Sequence, residues 1–550
     1  MFARFLVVFC LVLAANAASV AQRKECSRSP SSPGCDDRRQ HPRMPEDGIK
    51  STADGAEQTQ DHWKEIAKAF VSDQIKRTPN VNKAKNVIFF LGDGMGISTI
   101  TASRMLLGGE EQKLSFEKFP YTGSSMTYCL NRPVPDSAST STAYLTGVKA
   151  NYGTVGVSGQ VARYHCTNGI NPETHTTSLA KLAQMHGKST GFVTNTRVTH
   201  ASPAGLFGHS SSRGFEDDAE ILSRGCDPDL MDDLTEQLVH GDVGRHFKVI
   251  MGGGRRHFRN TTVADEEGRS GRRTDGRDLV EEWLADPSKE NKKFVWNREE
   301  LLNIDPEETD HVLGLFEHTH MLYHLEAIAR NRTDTEPTIG EMTLKALEIV
   351  SKNPNGFFLF VEGGRIDLAH HSNRARAAFD ETIEFHKTIE MARKMFSEED
   401  TLIVVTADHS HVNSFAGYPV RLKASQILMA SFSSQNRKHD IFGHVGNAND
   451  GKPYFTISYG NGPHYGDHVV QGVGRVDPST MDTSAWNFGF PSLAPMDTET
   501  HGGEDVPVYA SGPWAHLFTG TYEQNVIPHL VAFAADYIED GWLSKADVGL

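Results

Sequence analysis

Four apolar runs set the pattern of the chain. Asn86 to Leu91, Ser189 to Val193, Phe357 to Val361 and Leu402 to Val405 are continuous stretches of hydrophobic and small residues, without the alternation of a half-exposed strand. Runs of that length and texture predict strands buried on both faces. Polar residues follow each run, often with glycine. The first is followed by Gly92-Asp93-Gly94-Met95-Gly96 and the second leads towards Thr199-His200-Ala201-Ser202. The third ends in Glu362-Gly363-Gly364-Arg365-Ile366-Asp367 and the fourth in Thr406-Ala407-Asp408-His409. Helix-compatible stretches lie between, for example Thr177 to His186 and Arg374 to Phe396. This alternation predicts an α/β fold with a large, mostly parallel central sheet flanked by helices. Ligands of such sheets bind beyond the carboxyl ends of the strands, where all four polar clusters fall.

Outside these runs the texture changes. His62 to Ile75 has helical spacing, with Trp63, Ile66, Phe70 and Ile75 able to share a face, and reads as a packing or dimer-contact helix. Val412 to Glu499 is rich in Gly, Asn, Ser, Pro and His, and its strands look short, as at Tyr454 to Tyr459. It reads as a crown-type insertion, residues 412–499, on a core made of 57–411 and 500–543. A last helix is expected near Asn525 to Tyr537.

The amino terminus predicts export. Arg4 precedes an apolar run from Phe5 to Ala15, and Ala15-Asn16-Ala17 fits a small-residue cleavage site, so residues 1–17 read as a signal peptide. Residues 18–56 are polar and are expected to be disordered. Loss of Cys10 with the signal leaves Cys26, Cys35, Cys129, Cys166 and Cys226, and two bridges with one free thiol are the economical reading. Cys26 and Cys35 could staple the polar segment. Asn260-Thr261-Thr262 and Asn331-Arg332-Thr333 are glycosylation sequons. The final residues have no apolar tail for a membrane or glycolipid anchor, so a secreted, extracellular protein is expected. A net charge of -16 argues against a nucleic-acid partner. The 26 histidines supply potential metal ligands.

The candidate chemistry gathers around Val134-Pro135-Asp136-Ser137-Ala138-Ser139-Thr140-Ser141-Thr142, which leads into a helix-compatible stretch from Thr142 to Gly147. A serine near a helix start sits where backbone N–H groups favour an anion. The same run also reads as an ordinary N-cap or loop. Asp367 and His371, four apart, can grip one metal from one helix face. Asp408 and His409 are adjacent at a strand end. Asp93, Glu362, Ser202 and His501 add further ligands. Mixed imidazole and carboxylate suits zinc, whereas the oxygen set Asp93, Ser202 and Glu362 suits magnesium.

Seven motifs together resemble the alkaline phosphatases, closer to animal than bacterial forms. They begin at Leu91-Gly92-Asp93, Val134-Pro135-Asp136-Ser137, Gly147-Val148-Lys149, His200-Ala201-Ser202, Val361-Glu362-Gly363, Thr406-Ala407-Asp408-His409 and Thr500-His501-Gly502, in family order. The resemblance implies a phosphate monoesterase with a phosphoserine intermediate on Ser137 and a phosphate-gripping Arg213. It implies two zinc ions per subunit, one on Asp367, His371 and His501 and one on Asp93, Asp408 and His409. It implies one magnesium on Asp93, Ser202 and Glu362. It further implies a calcium site using Phe316, Glu317 and Glu336, with a third acid among Asp265, Glu266 and Glu267. A Cys166–Cys226 disulfide and a homodimer involving Tyr418 also follow from it. Two positions depart from the family. Ser141 replaces Gly or Ala and adds a hydroxyl near the nucleophile, which could crowd the helix start, and Leu368 stands where well-known members carry a basic residue. A phosphodiesterase or sulfatase of the same superfamily, and a non-catalytic binding homologue, are the alternative readings.

Overall fold

A ten-stranded sheet forms the centre of the computed structural model, which describes residues 55–167, 171–419, 441–539 and 542–549. The expected signal peptide, the polar segment up to residue 54 with Cys26 and Cys35, and residues 420–440 of the expected insertion lie outside the described residues. The strands are β1 (Asn86–Gly92), β2 (Tyr121–Met126), β3 (Ser189–Arg197), β4 (Val249–Gly253), β5 (Lys292–Val295), β6 (His311–Leu315), β7 (Phe357–Gly363), β8 (Thr401–Ala407), β9 (Val506–Ser511) and β10 (Gly520–Glu523). Their order is β10-β2-β9-β8-β1-β7-β3-β4-β6-β5. Only β9 runs against the rest, pairing antiparallel with both β8 and β2. The four runs singled out by hydrophobicity are therefore four adjacent strands, β8-β1-β7-β3, in the middle of the sheet.

Alternate residues of these strands enter two different cores. Val87, Phe89 and Leu91 pack on one face with Phe192, Phe358, Phe360, Leu402 and Val404. Ile88 and Phe90 pack on the other with Val193, Leu359, Val361, Ile403 and Val405. The helices include α1 (Gln60–Lys76), α2 (Ile97–Gly108), α3 (Ser137–Thr146), α4 (Leu179–Met185), α5 (Ala201–Ala204), α6 (Asp218–Ser223), α7 (Ile339–Val350), α8 (Arg365–His371), α9 (Ala375–Met395) and α10 (Ile527–Ala535). Residues of α3, α4 and α10 join the first core, and residues of α2, α7 and α9 join the second. Both faces are thus dry, which is why the strands carry no polar alternation.

Two expected elements take other bounds, and a third leaves its partner outside the chain. The stretch expected to become helical only at Thr142 is already helical at Ser137, because the Asp136 side chain accepts the N–H groups of Ala138 and Ser139 and starts α3 five residues earlier. Tyr454 to Tyr459 is not one strand. Tyr454–Phe455 pairs with His444–Val445, while Ile457–Gly462 pairs with Asn413–Phe415 and Ser492–Pro495. Helix α1 forms as its spacing predicts, but none of its residues is buried in the chain, and Trp63, Ile66, Phe70 and Ile75 are exposed. The 412–499 region supplies these small sheets, and its Phe442, Phe455, Ile457, Tyr459 and Phe490 extend the second core.

Phe89 lies at the centre of the first core, its ring 5.8 Å from Tyr144 and 6.0 Å from Phe360. Phe89→Ala should cost about 3–5 kcal/mol of stability, read as a lowered denaturant midpoint with little change in the slope.

Candidate metal and phosphate site

The polar residues beyond β8, β1, β7 and β3 converge. Asp93 directly follows β1, Glu362 lies at the end of β7, Asp408 and His409 follow β8, and Ser202 lies in α5 beyond β3. Helix α8 turns Asp367 and His371 to one side, and residues 501–502 pair with 410–411 to bring His501 in from the approach to β9. Asp93, Glu362, Ser202, Asp408 and His409 are fully buried, and Asp367 nearly so.

Ser137 sits at the first turn of α3 with its hydroxyl 3.3 Å from His409 Nε2 and 3.5 Å from Asp93 Oδ1. Nε2 of His409 also lies 3.0 Å from Asp408 Oδ2. Asp408 Oδ1 accepts the N–H groups of Gly94 and His409. Burial alone would raise the Asp408 carboxyl, but His409 and these N–H groups outweigh it and hold it down at about 2. Asp93 is different. Burial and the charges of Asp408, Asp367 and Glu362 push it well above the usual carboxylate range. Burial likewise pushes Glu362 up to about 7. Thr194 and Thr196 donate to one Glu362 oxygen, Oε2, while Oε1 is buried without a partner. Ser202 Oγ is 3.5 Å from Asp93 Oδ2, so the oxygen set expected from the sequence is assembled.

A second cluster lies beside the first. The Nε2 atoms of His371 and His501 face each other at 3.1 Å, each 3.4 Å from Asp367 Oδ1. Nδ1 of His371 is 2.6 Å from the carbonyl oxygen of Glu499, and Nδ1 of His501 is 2.8 Å from that of Pro135. A carbonyl only accepts, so each Nδ1 carries the proton. Burial lowers both histidines, so the rings are neutral at pH 7 and each Nε2 presents a lone pair. Two lone pairs aimed at one another beside a carboxylate repel unless a cation lies among them. Orientation of Nδ1 by a carbonyl is also how metal-binding histidines are set. Donor atoms close enough to share a cation occur in four overlapping groups, Asp367 with His409, His411 and His501, His371 with His411 and Glu499, Asp93 with Asp408 and His409, and Asp93 with His200 and Glu362, and such mixed nitrogen and carboxylate sets fit divalent cations.

Sequence reasoning missed three groups here. His411 lies between two acids, 2.5 Å from Glu499 Oε2 and 2.8 Å from Asp367 Oδ1. Burial opposes its protonation, yet Glu499 and Asp367 raise it to about 10, so it is an imidazolium that orients Asp367. The motif Thr406 to His411 contained it, but nothing in the spacing separated it from His409. Glu499 carried no signal, since its partner lies 88 residues away. Asp136 was read only as a neighbour of Ser137. Its carboxylate caps α3, accepts the Gly153 N–H at 2.7 Å and pairs with Arg213 Nη1 at 3.2 Å. Burial would raise Asp136, but Arg213 and the Gly153 N–H hold it below its ordinary value. Arg213 also donates from Nη2 to His200 Nε2 at 3.1 Å, and is thereby fixed near Ser137.

The other expected positions are more dispersed. Glu317 and Glu336 are buried together, and Glu336 Oε1 accepts the Leu322 N–H while Oε2 has no partner. Burial and Glu317 push Glu336 up to about 9. Two of the three candidate acids are joined to Glu317: Glu267 through Arg332, whose Nη2 lies 2.7 Å from Glu267 and 3.3 Å from Glu317, and Asp265 through His318, whose backbone N–H donates to Glu317 and whose Nδ1 lies 3.0 Å from Asp265. Phe316 is buried next to them. Cys166 and Cys226 form a disulfide and Cys129 is a buried free thiol. Asn331 is exposed, whereas Asn260 is buried with its amide donating to Gly276 O. Leu368 packs half-buried against the second core.

Ser141 does not crowd Ser137. Its hydroxyl lies 2.9 Å from Ala138 O and 3.0 Å from Ala201 O, tying α3 to the helix that bears Ser202. Ser141→Ala should therefore cost about 1 kcal/mol of stability and change kcat by less than about twofold, since the lost bond holds two helices together and touches no reacting atom. Thermal unfolding and steady-state kinetics on the same preparation check both halves.

A family model described as alkaline phosphatase matches residues 84–537. The membrane-bound alkaline phosphatase of Bombyx mori is 45% identical over 462 residues, covering 82% of this chain and 80% of that protein. The human tissue-nonspecific isozyme of alkaline phosphatase is 45% identical over 473 residues, covering 83% of this chain and 84% of the relative. Among solved structures, the Thermus thermophilus alkaline phosphatase superposes with a TM-score of 0.58 at 21% identity over 85% of this chain and 95% of its own, which shows the shared fold. With a matching family model over most of its length and animal relatives at this identity, the chain belongs to the alkaline phosphatase family.

Proposed function

We propose that this phosphomonoesterase works through a phosphoserine on Ser137, with Arg213 gripping the phosphate. The observation that carries this reading is the convergence on Ser137 Oγ of His409 and Asp93, beside the facing Nε2 atoms of His371 and His501. On this reading Asp367, His371 and His501 hold one zinc, Asp93, Asp408 and His409 a second, and Asp93, Ser202 and Glu362 a magnesium. When bound, these ions would neutralise the buried carboxylates, act as Lewis acids towards phosphate oxygens and favour deprotonation of serine and water.

The chain's own residues do the rest. Helix α3 directs its first N–H groups towards the serine end, which favours the negative charge of a phosphate. Asp136 holds Arg213 by one nitrogen, and His200 accepts from another, so the guanidinium fork is oriented before substrate arrives. Ser137 Oγ attacks phosphorus in line with the departing alcohol, and water then attacks the phosphoserine from the same side the alcohol left. Calcium would be held by the Phe316 carbonyl, Glu317, Glu336 and one of Asp265, Glu266 and Glu267, and Arg332 lies between Glu317 and Glu267. The reading extends to a secreted glycoprotein that dimerises with its own kind through Tyr418 and the exposed apolar face of α1. No helix among the described residues is long and apolar enough to cross a membrane.

Ser137→Ala should abolish turnover and leave no acid-stable phosphate on the protein after a quench with labelled substrate, with unfolding unchanged. Near-normal monoester hydrolysis by that variant would overturn the mechanism. Removal of metal by a chelator should silence the enzyme, and metal analysis of the active protein should return two zinc ions and one magnesium per chain. Faster turnover of a diester or sulfate ester than of a matched monoester would instead favour the other branches of the superfamily.

A further inference from the structure

Arg213 is held from two sides, by Asp136 at Nη1 and by His200 at Nη2. Asp136 is itself fixed by the first N–H groups of α3. His200 needs an anchor of its own. A guanidinium only donates, so the His200 Nε2 that meets Arg213 is unprotonated and the ring proton lies on Nδ1. Among the described residues that Nδ1 is buried with no partner. The imidazole is therefore not oriented through its second nitrogen, and its placement comes from the turn that carries it.

The turn runs from Arg197, the last residue of β3, to His200, whose N–H donates to Arg197 O at 3.0 Å. One carboxylate gathers it. Glu216 accepts from Arg197 Nε at 2.8 Å and Nη2 at 2.6 Å, and its Oε2 also accepts from Thr199 Oγ1 at 2.7 Å. The remaining nitrogen of Arg197, Nη1, donates to Nε2 of His320. The His320 ring stands across that of His200, with centroids 5.1 Å apart and planes at 82°. Glu216 thus holds two residues of the turn directly and, through Arg197, the ring that packs against His200.

Glu216 is rigid enough to serve as an anchor. Its carbonyl accepts from Thr235 Oγ1 at 2.6 Å, and the next residue, Asp217, caps α6 by accepting the Glu220 N–H at 2.9 Å. Burial would raise the Glu216 carboxyl, but Arg197 and His257 hold it below its ordinary value, so it is ionised. It also lies only three residues beyond Arg213. The segments 197–200 and 213–216 therefore meet twice, Arg213 with His200 and Glu216 with Arg197 and Thr199.

We propose that Glu216 is a positioning residue for Arg213: by clamping Arg197 and Thr199 it sets His200, and thereby the guanidinium that meets the phosphate. This rests on the assignment of Arg213 to the phosphate grip. The contact of Asp136 with Nη1 alone leaves the guanidinium free to pivot about that nitrogen, and the second contact fixes the plane of the fork before substrate arrives.

The metal-loaded enzyme carrying Glu216→Gln tests this, because the amide keeps the side-chain shape and turns one acceptor into a donor facing Arg197 or Thr199. Its Ki for inorganic phosphate and its KM for phenyl phosphate should rise together by about tenfold while kcat changes by less than about threefold, since the loosened grip is made in both ground and transition states. Thr199→Val removes a single contact to Glu216 and should raise Ki by about threefold, which keeps the test open if Glu216→Gln folds poorly. In an Arg213→Ala background both changes should lose their effect, because they act only through that guanidinium. A Glu216 that merely supports the fold would lower the unfolding temperature and leave Ki unchanged, or would raise Ki by the same factor with and without Arg213. Either result overturns the proposal. An unchanged phosphate Ki in Arg213→Ala alone would instead overturn the phosphate grip, and the positioning role with it.

Discussion

Buried like charges are the constraint on which the rest of this structure depends. Asp93, Glu362, Asp367 and Asp408 lie within one small region, all buried, because the first, second and fourth sit at the ends of adjacent parallel strands and Asp367 lies in the helix that follows one of them. Carboxylates so arranged cannot all be ionised in a low-dielectric interior without cations. Protein groups answer part of the demand. His411 lies between Asp367 and Glu499 as an imidazolium, and N–H groups stabilise Asp408. They do not answer it for Asp93 or for Glu362, whose Oε1 is left without a partner. The remainder is what makes the site suited to divalent ions.

The sheet makes that concentration of charge possible. Seven neighbouring strands, β8-β1-β7-β3-β4-β6-β5, run in one direction, and all but the edge strand β5 are dry on both faces, so their carboxyl ends form a rigid edge. The two apolar cores hold that edge against the repulsion of its own acids. The single reversed strand, β9, has a separate use: the chain approaches it past His501, whose backbone pairs with His411 across the site.

Asp136 joins the parts. One carboxylate starts α3, receives the Gly153 N–H and orients Arg213, so Ser137, the helix end and the guanidinium are tied together. The loop through Gly153 then connects that body to Arg163, which packs against Gly153 three residues before the Cys166–Cys226 bridge.

Much of this was legible along the chain. Continuous apolar runs identify strands buried on both faces, and polar residues at their ends identify the ligand edge, because both are local consequences of burial. Ser137 and the acids and histidines gathered around it lie in recognisable local motifs. The true start of α3 was not legible, since it depends on how one carboxylate is shared among Ala138, Ser139, Gly153 and Arg213. Ser141 looked like a hydroxyl beside the nucleophile, and only the position of α5 decides that it points to Ala201. The exposure of α1 was equally hidden, because an apolar face shows that something covers it and not that the chain itself does. His411 and Glu499 act through a contact across 88 residues, which no spacing encodes. Composition and periodicity determine which segments must be buried and which chemistry is at hand, while the distances that turn acids, imidazoles and a serine into one site arise only when distant segments share a volume.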